Sequence, residues 1–218
     1  VVCWAGKKHI VRNETYYSRV AIELMNEQIK LFYSNQDEVI IQLDINHTDK
    51  VAEVCNLFTG FNHQEDLSDT IKNSQYYAFA LDNNFAQLKN QLSRFATGDY
   101  IFQLDADEIP HADLIKLLPL LLEQNSEVDL FFVPRVNTVE GLTQEHVTKW
   151  GWNVNENGWV NFPDYQTRIY RNNSEVKWEG KVHERITGTK TFSPLPAGEV
   201  WSLYHPKTIE KQEKQNKL

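Results

Sequence analysis

The first half of the chain alternates strand patterns with helix patterns, and this alternation restricts the fold more than any other feature. Short apolar runs predict strands, and stripes of apolar residues at helical spacing predict helices between them. The predicted strands cover residues 1–4 or 10–11, 38–43, 76–81 and 100–104, and the predicted helices cover residues 15–32, 49–57 and 85–96. Because right-handed helical crossovers join parallel strands, we expect an α/β fold with a mostly parallel sheet covered by helices.

The alternation ends after residue 108. The remaining predicted elements are one helix, two strands and a charged helical tail, at residues 113–124, 129–135, 166–170 and 207–217. Pro119 should kink the helix, because proline lacks the N–H that the helix needs. Trp150, Trp152 and Trp159 lie in an irregular region between the two strands, where their rings either pack in a core or stack on a sugar ring.

Length, charge and cysteine content limit the classes of function. A chain of 218 residues predicts a single domain over residues 1–218. A net charge of −8, from 22 basic and 30 acidic residues, disfavours nucleic acid as a partner. We expect no transmembrane segment, because the longest apolar stretch, residues 114–122, is too short to cross a bilayer.

Cys3 and Cys55 form neither a disulfide framework nor a zinc site, so we predict a cytoplasmic protein. The chain begins at Val1 without Met and shows no signal peptide, and fusion to further domains in a longer chain is left open.

Two carboxylates follow the predicted strand at 100–104. Side chains two residues apart on an extended chain share a face, so Asp105 and Asp107 can point the same way from the end of the strand. Two convergent carboxylates form a hard-oxygen site suited to Mg²⁺ or Mn²⁺, and ligands usually bind at this edge of open α/β sheets. The alternative is an acidic, solvated turn.

The residues around this pair resemble the glycosyltransferases of family 2, which depend on sugar nucleotides and have the GT-A fold. Lys89-Asn90 takes the place of the family's Arg-Asn pair, and Ala96-Thr97-Gly98-Asp99 and Leu104-Asp105-Ala106-Asp107-Glu108 follow it in the family's order. Similar segments occur on both sides, at residues 11–14, 37–44, 48–49, 163–171 and 178–184. The resemblance implies a GT-A fold, with a Rossmann-like, mostly parallel mixed sheet and a smaller acceptor-side part. It also implies a nucleotide-binding half at about 1–108, an acceptor-side half at about 109–205 and a charged tail at 206–218.

The resemblance also assigns roles to residues near the donor. Asp44, at the end of the second strand, is expected to accept a hydrogen bond from the nucleotide base. The other residues expected near the donor are Arg12, Glu14, Lys89, Asn90, Asp105 and Arg168. Arg168 and Arg171 each offer bidentate donors to a diphosphate, but residues three apart on a strand face opposite ways, so both cannot do so.

The implied chemistry needs a metal ion and a base. Asp105 and Asp107 are the expected metal pair, with Asp107 the direct ligand, and one later histidine, His183 or His205, is expected to complete the shell. An inverting transfer needs a base that takes the proton of the acceptor hydroxyl. Glu184 matches the base by its order in the motif, and Asp164 is the reserve candidate.

We therefore predict an inverting glycosyltransferase that uses Mn²⁺ or Mg²⁺ and a UDP- or GDP-sugar, with a glycan, lipid or protein as acceptor. One alternative is a nucleotidyltransferase that makes sugar nucleotides, but only Ala5-Gly6-Lys7-Lys8 hints at its Gly-rich loop. The other is a carbohydrate-binding domain that uses its tryptophans. That alternative leaves the acidic pair without a role.

Overall fold

A computed structural model describes residues 2–4, 39–44, 74–79, 84–105, 107–181 and 183–216. Elements are numbered here in chain order among these residues. The strands are β1 (Val2–Trp4), β2 (Val39–Asp44), β3 (Ser74–Phe79), β4 (Tyr100–Leu104), β5 (Ile109–Pro110), β6 (Leu130–Val133), β7 (Arg135–Glu140), β8 (Gln166–Arg171), β9 (Lys177–Glu179), β10 (Arg185–Thr187), β11 (Phe192–Pro194) and β12 (Leu203–Thr208). The α-helices are α1 (Phe85–Ser93), α2 (Ala112–Gln124), α3 (Gln144–Trp150) and α4 (Ile209–Gln215), and Glu199–Trp201 forms a turn of 3₁₀-helix.

The main sheet has seven strands in the order β11-β6-β8-β4-β1-β2-β3. Strands β4, β1, β2 and β3 are parallel neighbours, as the β-α alternation predicts. Strand β8 is antiparallel to both β4 and β6, and β11 is parallel to β6. The sheet is therefore mixed and mostly parallel, and the predicted α/β fold class is confirmed.

Two smaller sheets complete the second half. A three-stranded sheet has the order β5-β12-β7, with β12 parallel to β7 over six residue pairs and antiparallel to β5. Because β5 begins directly after Glu108, this sheet brings residues from the end of the chain beside the acidic segment. Strands β9 and β10 form the third sheet, an antiparallel pair.

The structure corrects several predicted elements. The strand predicted at 76–81 lies two residues earlier as β3, and the helix predicted at 85–96 ends at Ser93. The strand predicted at 129–135 is two strands, because it divides at Pro134. The region of the three tryptophans contains helix α3, and residues 206–208 of the predicted charged tail belong to β12 before α4 begins. The helices predicted at 15–32 and 49–57, and the alternative first strand at 10–11, lie outside the described residues.

The core lies between α1 and the middle of the main sheet. Its buried members include Ile40, Leu92, Ile101, Tyr170 and Trp178. The Tyr170 hydroxyl donates to Gln103 Oε1 at 2.8 Å and accepts from Trp178 Nε1 at 3.2 Å, so these buried polar atoms have partners. This packing holds β4 and β8 together up to the edge where the acidic segment begins. None of the described helices combines the length and the apolar character needed to span a membrane.

Candidate active site

The acidic segment forms a tight turn at the carboxyl end of β4. The Glu108 N–H donates to the Asp105 carbonyl oxygen at 3.0 Å, and β4 ends at Leu104. The expectation that Asp105 and Asp107 share a face of an extended chain is therefore wrong, because the chain turns between them. The turn gives each acidic side chain a different set of partners.

Glu108 points into the protein, and its side chain is 0% exposed. Its two oxygens accept four hydrogen bonds: Arg168 Nε at 2.8 Å, Arg168 Nη2 at 2.7 Å, Arg135 Nη1 at 3.1 Å and the Asp105 N–H at 3.1 Å. Burial alone would raise the pKa of Glu108, but the charges of Arg168 and Arg135 outweigh it and lower the pKa to about 2. Glu108 is thus an ionised anchor beneath the turn.

Arg168 links this anchor to Asp105. It is 4% exposed, and its Nη2 donates to Asp105 Oδ2 at 2.6 Å. Although burial opposes the charged form, Asp105 and Glu108 raise the pKa of Arg168. Strand β8 runs antiparallel to β4, with Tyr100 opposite Arg171, so Arg168 lies at the carboxyl end of β4 and Arg171 at its start. Arg171 pairs with Asp129 there, whereas Arg168 pairs with Asp105 and Glu108, and its contact with a diphosphate stays a prediction.

Asp164, the reserve candidate for the base, is held by several donors. Its Oδ2 accepts from Arg135 Nη2 at 2.6 Å and from Asn137 Nδ2 at 2.8 Å, and its Oδ1 accepts from Gln166 at 2.8 Å. Burial raises its pKa, but Arg135 and the hydrogen bonds prevail and lower it. This arrangement suits an orienting role better than proton transfer.

Asp107 lies against the strand–helix unit formed by β12 and α4. Its Oδ2 lies 3.3 Å from His205 Nε2 and accepts from Lys211 Nζ at 2.9 Å. His205 Nδ1 lies 2.7 Å from Asn137 Oδ1, while the amide of Asn137 donates to Asp164. When Nδ1 carries a proton it can donate to Asn137 Oδ1, and Nε2 is then the nitrogen that faces Asp107. Burial lowers the pKa of His205 more than Asp107 raises it, which favours neutral imidazole.

The Asp107 carboxylate oxygen and the His205 ring nitrogen, 3.3 Å apart, are close enough to bind one cation together. Carboxylate oxygen and neutral imidazole nitrogen are both ligands for Mn²⁺. In the described part of the chain, no three or more His, Cys, Asp or Glu side chains converge as a metal cluster. The remaining ligands of a metal here would thus come from phosphate oxygens and water, as is usual for ions of this kind.

Glu184, the first candidate for the base, lies beside α1. Its Oε1 lies 2.6 Å from Lys89 Nζ, and the same ammonium group lies 4.1 Å from the centre of the Trp178 ring. Asn90 donates to the Trp178 carbonyl and accepts from its N–H, both at 2.8 Å, which fixes β9 to α1. Lys89 and Asn90 therefore contact the segment that carries Glu184. His183 is exposed, with a φ of 55°, and Asp107 contacts His205 instead.

Asp44 lies at the same edge of the sheet as the acidic turn. Val2 pairs with Ile40 on one side and Gln103 on the other, so β2 and β4 end at the same edge with β1 between them. Leu104 and Ile41 both pair with Cys3, so β2 runs three residues past the level at which β4 ends. With neighbouring strands about 4.8 Å apart and a rise of about 3.3 Å per residue, Asp44 lies about 14 Å from the end of β4. This span suits a nucleotide with its base at one strand and its phosphates at the other. Arg12 and Glu14 lie outside the described residues.

Sequence reasoning gave no role to four residues of this site: Glu108, Arg135, Asn137 and Lys211. Glu108 belongs to the acidic motif, and its position next to the two aspartates could have identified it as a residue of the site. The others come from β7 and α4, which reach the site only through the long-range pairing of β7, β12 and β5. No local pattern indicates that pairing.

The mixed α/β fold is shared with solved structures of another protein. The structure of S. aureus TarS residues 1–349 in complex with UDP-GlcNAc is similar to the chain with a TM-score of 0.60 at 13% identity, over 94% of this chain and 58% of that one. The same TarS fragment with UDP gives a TM-score of 0.56 at 12% identity, over 98% and 61%. A longer TarS structure gives 0.59 at 11% identity, over 99% and 37%. The chain thus spans less than two thirds of each of these structures, and the similarity shows a shared fold.

The known protein families assign no activity to this chain. Residues 1–93 match a family described as a domain of unknown function (DUF5929). That match covers less than half of the chain and names no activity. No curated protein matches the sequence.

Proposed function

We propose that the chain is a glycosyltransferase of family 2, which moves a sugar from a nucleoside diphosphate sugar to an acceptor hydroxyl with inversion and with a divalent metal ion. The observation that carries the proposal is the pairing of Asp107 with His205 at the carboxyl end of β4, on the sheet edge that also carries Asp44. The similarity to TarS in complex with UDP-GlcNAc and with UDP supports a nucleotide sugar as donor. The acceptor is a glycan, a lipid or a protein.

Asp107 and His205 are the residues that would hold the metal ion. Asn137 and Asp164 stand behind His205 and fix its ring, as outer partners of metal-binding histidines usually do. When bound, Mn²⁺ or Mg²⁺ supplies positive charge that stabilises the departing diphosphate. Asp105 would face the donor from the first position of the turn, held there by Arg168.

The donor is proposed to span the edge between β2 and β4. Asp44 would accept from the nucleotide base, and Arg12 and Glu14 are proposed near the same pocket. The diphosphate would lie at Asp107 and the sugar near the acceptor-side segment. Lys89 and Asn90 would act indirectly, since they position that segment and its carboxylate.

Glu184 is the proposed base. It would take the proton of the acceptor hydroxyl while the hydroxyl oxygen bonds to the anomeric carbon, and the nucleoside diphosphate would leave from the opposite face with the bonding electron pair. Lys89 holds one oxygen of the carboxylate at 2.6 Å and so limits its rotation. A base held in one position favours attack along a single line.

The test is donor turnover by the purified chain with UDP- and GDP-sugars, with Mn²⁺ or with chelator. We expect release of nucleoside diphosphate that depends on the metal, and loss of this release in Asp107→Ala but not in the exposed control Glu123→Ala. A saturating diphosphate at 100 times its Kd should stabilise the native state by about 2.7 kcal/mol, or roughly 5–10 °C.

Other products would assign another function. Release of pyrophosphate from a nucleoside triphosphate and a sugar phosphate would make the chain a nucleotidyltransferase. Binding of sugars with no response to any nucleotide would make it a carbohydrate-binding domain. Equal nucleotide affinity with and without chelator would refute the metal assignment.

A further inference from the structure

Helix α4 places a lysine on the carboxylate that the proposed metal ion would use. Lys211 Nζ donates to Asp107 Oδ2 at 2.9 Å, and His205 Nε2 lies 3.3 Å from that same oxygen. The side chains of Asp107 and Lys211 are only 30% and 18% exposed. The contact is therefore partly shielded from solvent, and an ion pair is stronger there than on the open surface.

The position of Lys211 is fixed by the fold. Strand β12 is held by its six-residue ladder with β7, and α4 begins directly after it with Thr208 as the N-cap. Glu213, two residues beyond Lys211, lies 3.6 Å from His146 on α3. Gly141 lies so close to Ile209 that an added Cβ would lie 3.0 Å from the isoleucine Cγ2. These contacts keep the first turns of α4, and with them Lys211, against the acidic turn.

An ammonium group and a divalent cation compete for one carboxylate oxygen, because like charges at that separation repel each other. A bound diphosphate changes this balance, since it brings several anionic oxygens next to Asp107 that an ammonium group can bind. The lysine ammonium group is a point charge on a flexible four-carbon chain, so such an exchange needs no movement of the helix.

We propose that Lys211 neutralises Asp107 before the donor binds, and that it transfers to the donor diphosphate when the divalent cation takes Asp107. Lys211 is then a donor-binding residue, and α4 is part of the donor site. This inference rests on the proposed function and adds a residue that the sequence resemblance does not assign. It also implies that metal and diphosphate bind cooperatively, because each makes the other's place available.

The test measures binding in Lys211→Met, in Lys211→Arg and in Lys214→Met, an exposed control on the same helix. Mn²⁺ is titrated first without nucleotide and then UDP or GDP is titrated at saturating Mn²⁺. In Lys211→Met, Mn²⁺ alone should bind more tightly, while the diphosphate should bind more weakly. Each change should be about tenfold, because a hydrogen bond between charged groups contributes at least about one factor of ten.

The opposite signs separate this role from a structural one, since a damaged site would lose affinity for both ligands. Lys211→Arg keeps the charge and should retain most of the diphosphate affinity, and Lys214→Met should match the parent protein. Unchanged or weaker Mn²⁺ binding in a folded Lys211→Met would overturn the inference, as would unchanged diphosphate affinity. Failure of the parent protein to bind any nucleoside diphosphate would instead refute the proposed function itself.

Discussion

Replacement of Glu108 by Gln should destabilise the protein far more than its small change in shape suggests. The four hydrogen bonds that Glu108 accepts all come from donors: two from Arg168, one from Arg135 and one from the Asp105 N–H. Glutamine has one oxygen and one NH₂ group. Whichever way the amide turns, two donors then face a donor.

The cost follows from those two lost bonds. A hydrogen bond to a charged group contributes about 1.5–3 kcal/mol, so the loss of two should lower the free energy of unfolding of Glu108→Gln by about 3–6 kcal/mol. Loss of one partner from a buried ion pair gives a similar range. For a chain of this size, the melting temperature should fall by roughly 10 °C or more.

The dependence of stability on pH gives a second measure of how much the ionised Glu108 stabilises the protein. The pKa of Glu108 is about 2 in the folded protein and 4.5 in its ordinary state. A lowered folded pKa stabilises the protein above pH 4.5, and this stabilisation is lost as the pH falls from 4.5 toward 2. The difference in pKa corresponds to about 3 kcal/mol, in line with the cost of the lost bonds.

Urea unfolding at pH 7 and at pH 4 measures both effects. The exposed control Glu123→Gln should leave stability within about 0.5 kcal/mol of the parent protein. Glu108→Gln should be less stable at pH 7 and should lose less on acidification than the parent does. A loss below about 1 kcal/mol at pH 7 would refute the reasoning, since it would mean that the two arginines find other acceptors.

Three further predictions concern the proposed base, the metal and the second half of the fold. Glu184→Gln should retain Mn²⁺ and nucleotide binding while the transfer rate falls by about 10²-fold, because the amide cannot accept a proton; loss of binding in this variant would give Glu184 a structural role. His205→Ala should weaken Mn²⁺ binding by about tenfold or more, whereas His183→Ala should not, as calorimetric titration of both variants would show. Gly188→Ala should destabilise the protein by more than about 2 kcal/mol, because a Cβ would lie 1.9 Å from the Glu175 carbonyl oxygen at a φ of +84°. Gly158→Ala is its matched control, with a φ of +76° and nothing within 4 Å, and an equal loss in both variants would attribute the effect to φ alone.

Local patterns were sufficient to locate the described parallel strands β2, β3 and β4 to within two residues. Strand β4 occurs at the predicted residues, and β2 lies within one residue of its predicted limits, because buried parallel strands read as short apolar runs. The three-stranded sheet could not be predicted in this way. Strand β12 contains His205, Pro206 and Lys207, and its pattern resembles a charged tail until β7 and β5 are placed beside it.

In the candidate site, too, local patterns located some residues, while others depend on long-range strand pairing. The sequence located Asp105 and Asp107 because they follow a strong strand, but it assumed an extended chain where a turn is present. It left His183 and His205 as equal candidates, because only the pairing of β12 with β7 brings one of them to Asp107. The metal, donor and base roles themselves stay predictions.

Charge balance gives a physical reason for the proposed metal dependence. With His205 neutral, the connected side chains of the site carry four negative and three positive charges: Asp105, Asp107, Glu108 and Asp164 against Arg135, Arg168 and Lys211. The site alone therefore has a net charge of about −1 on a chain of net charge −8, and it would repel a diphosphate. A divalent cation changes the sign of that charge, and a transfer of Lys211 from Asp107 to the diphosphate would direct a second cation at the leaving group. The arginines cannot do so, because Glu108 and Asp164 already hold them in place. Under the proposed function, and among the described residues, the fixed ion pairs would position the site while the metal ion and Lys211 would respond to the donor.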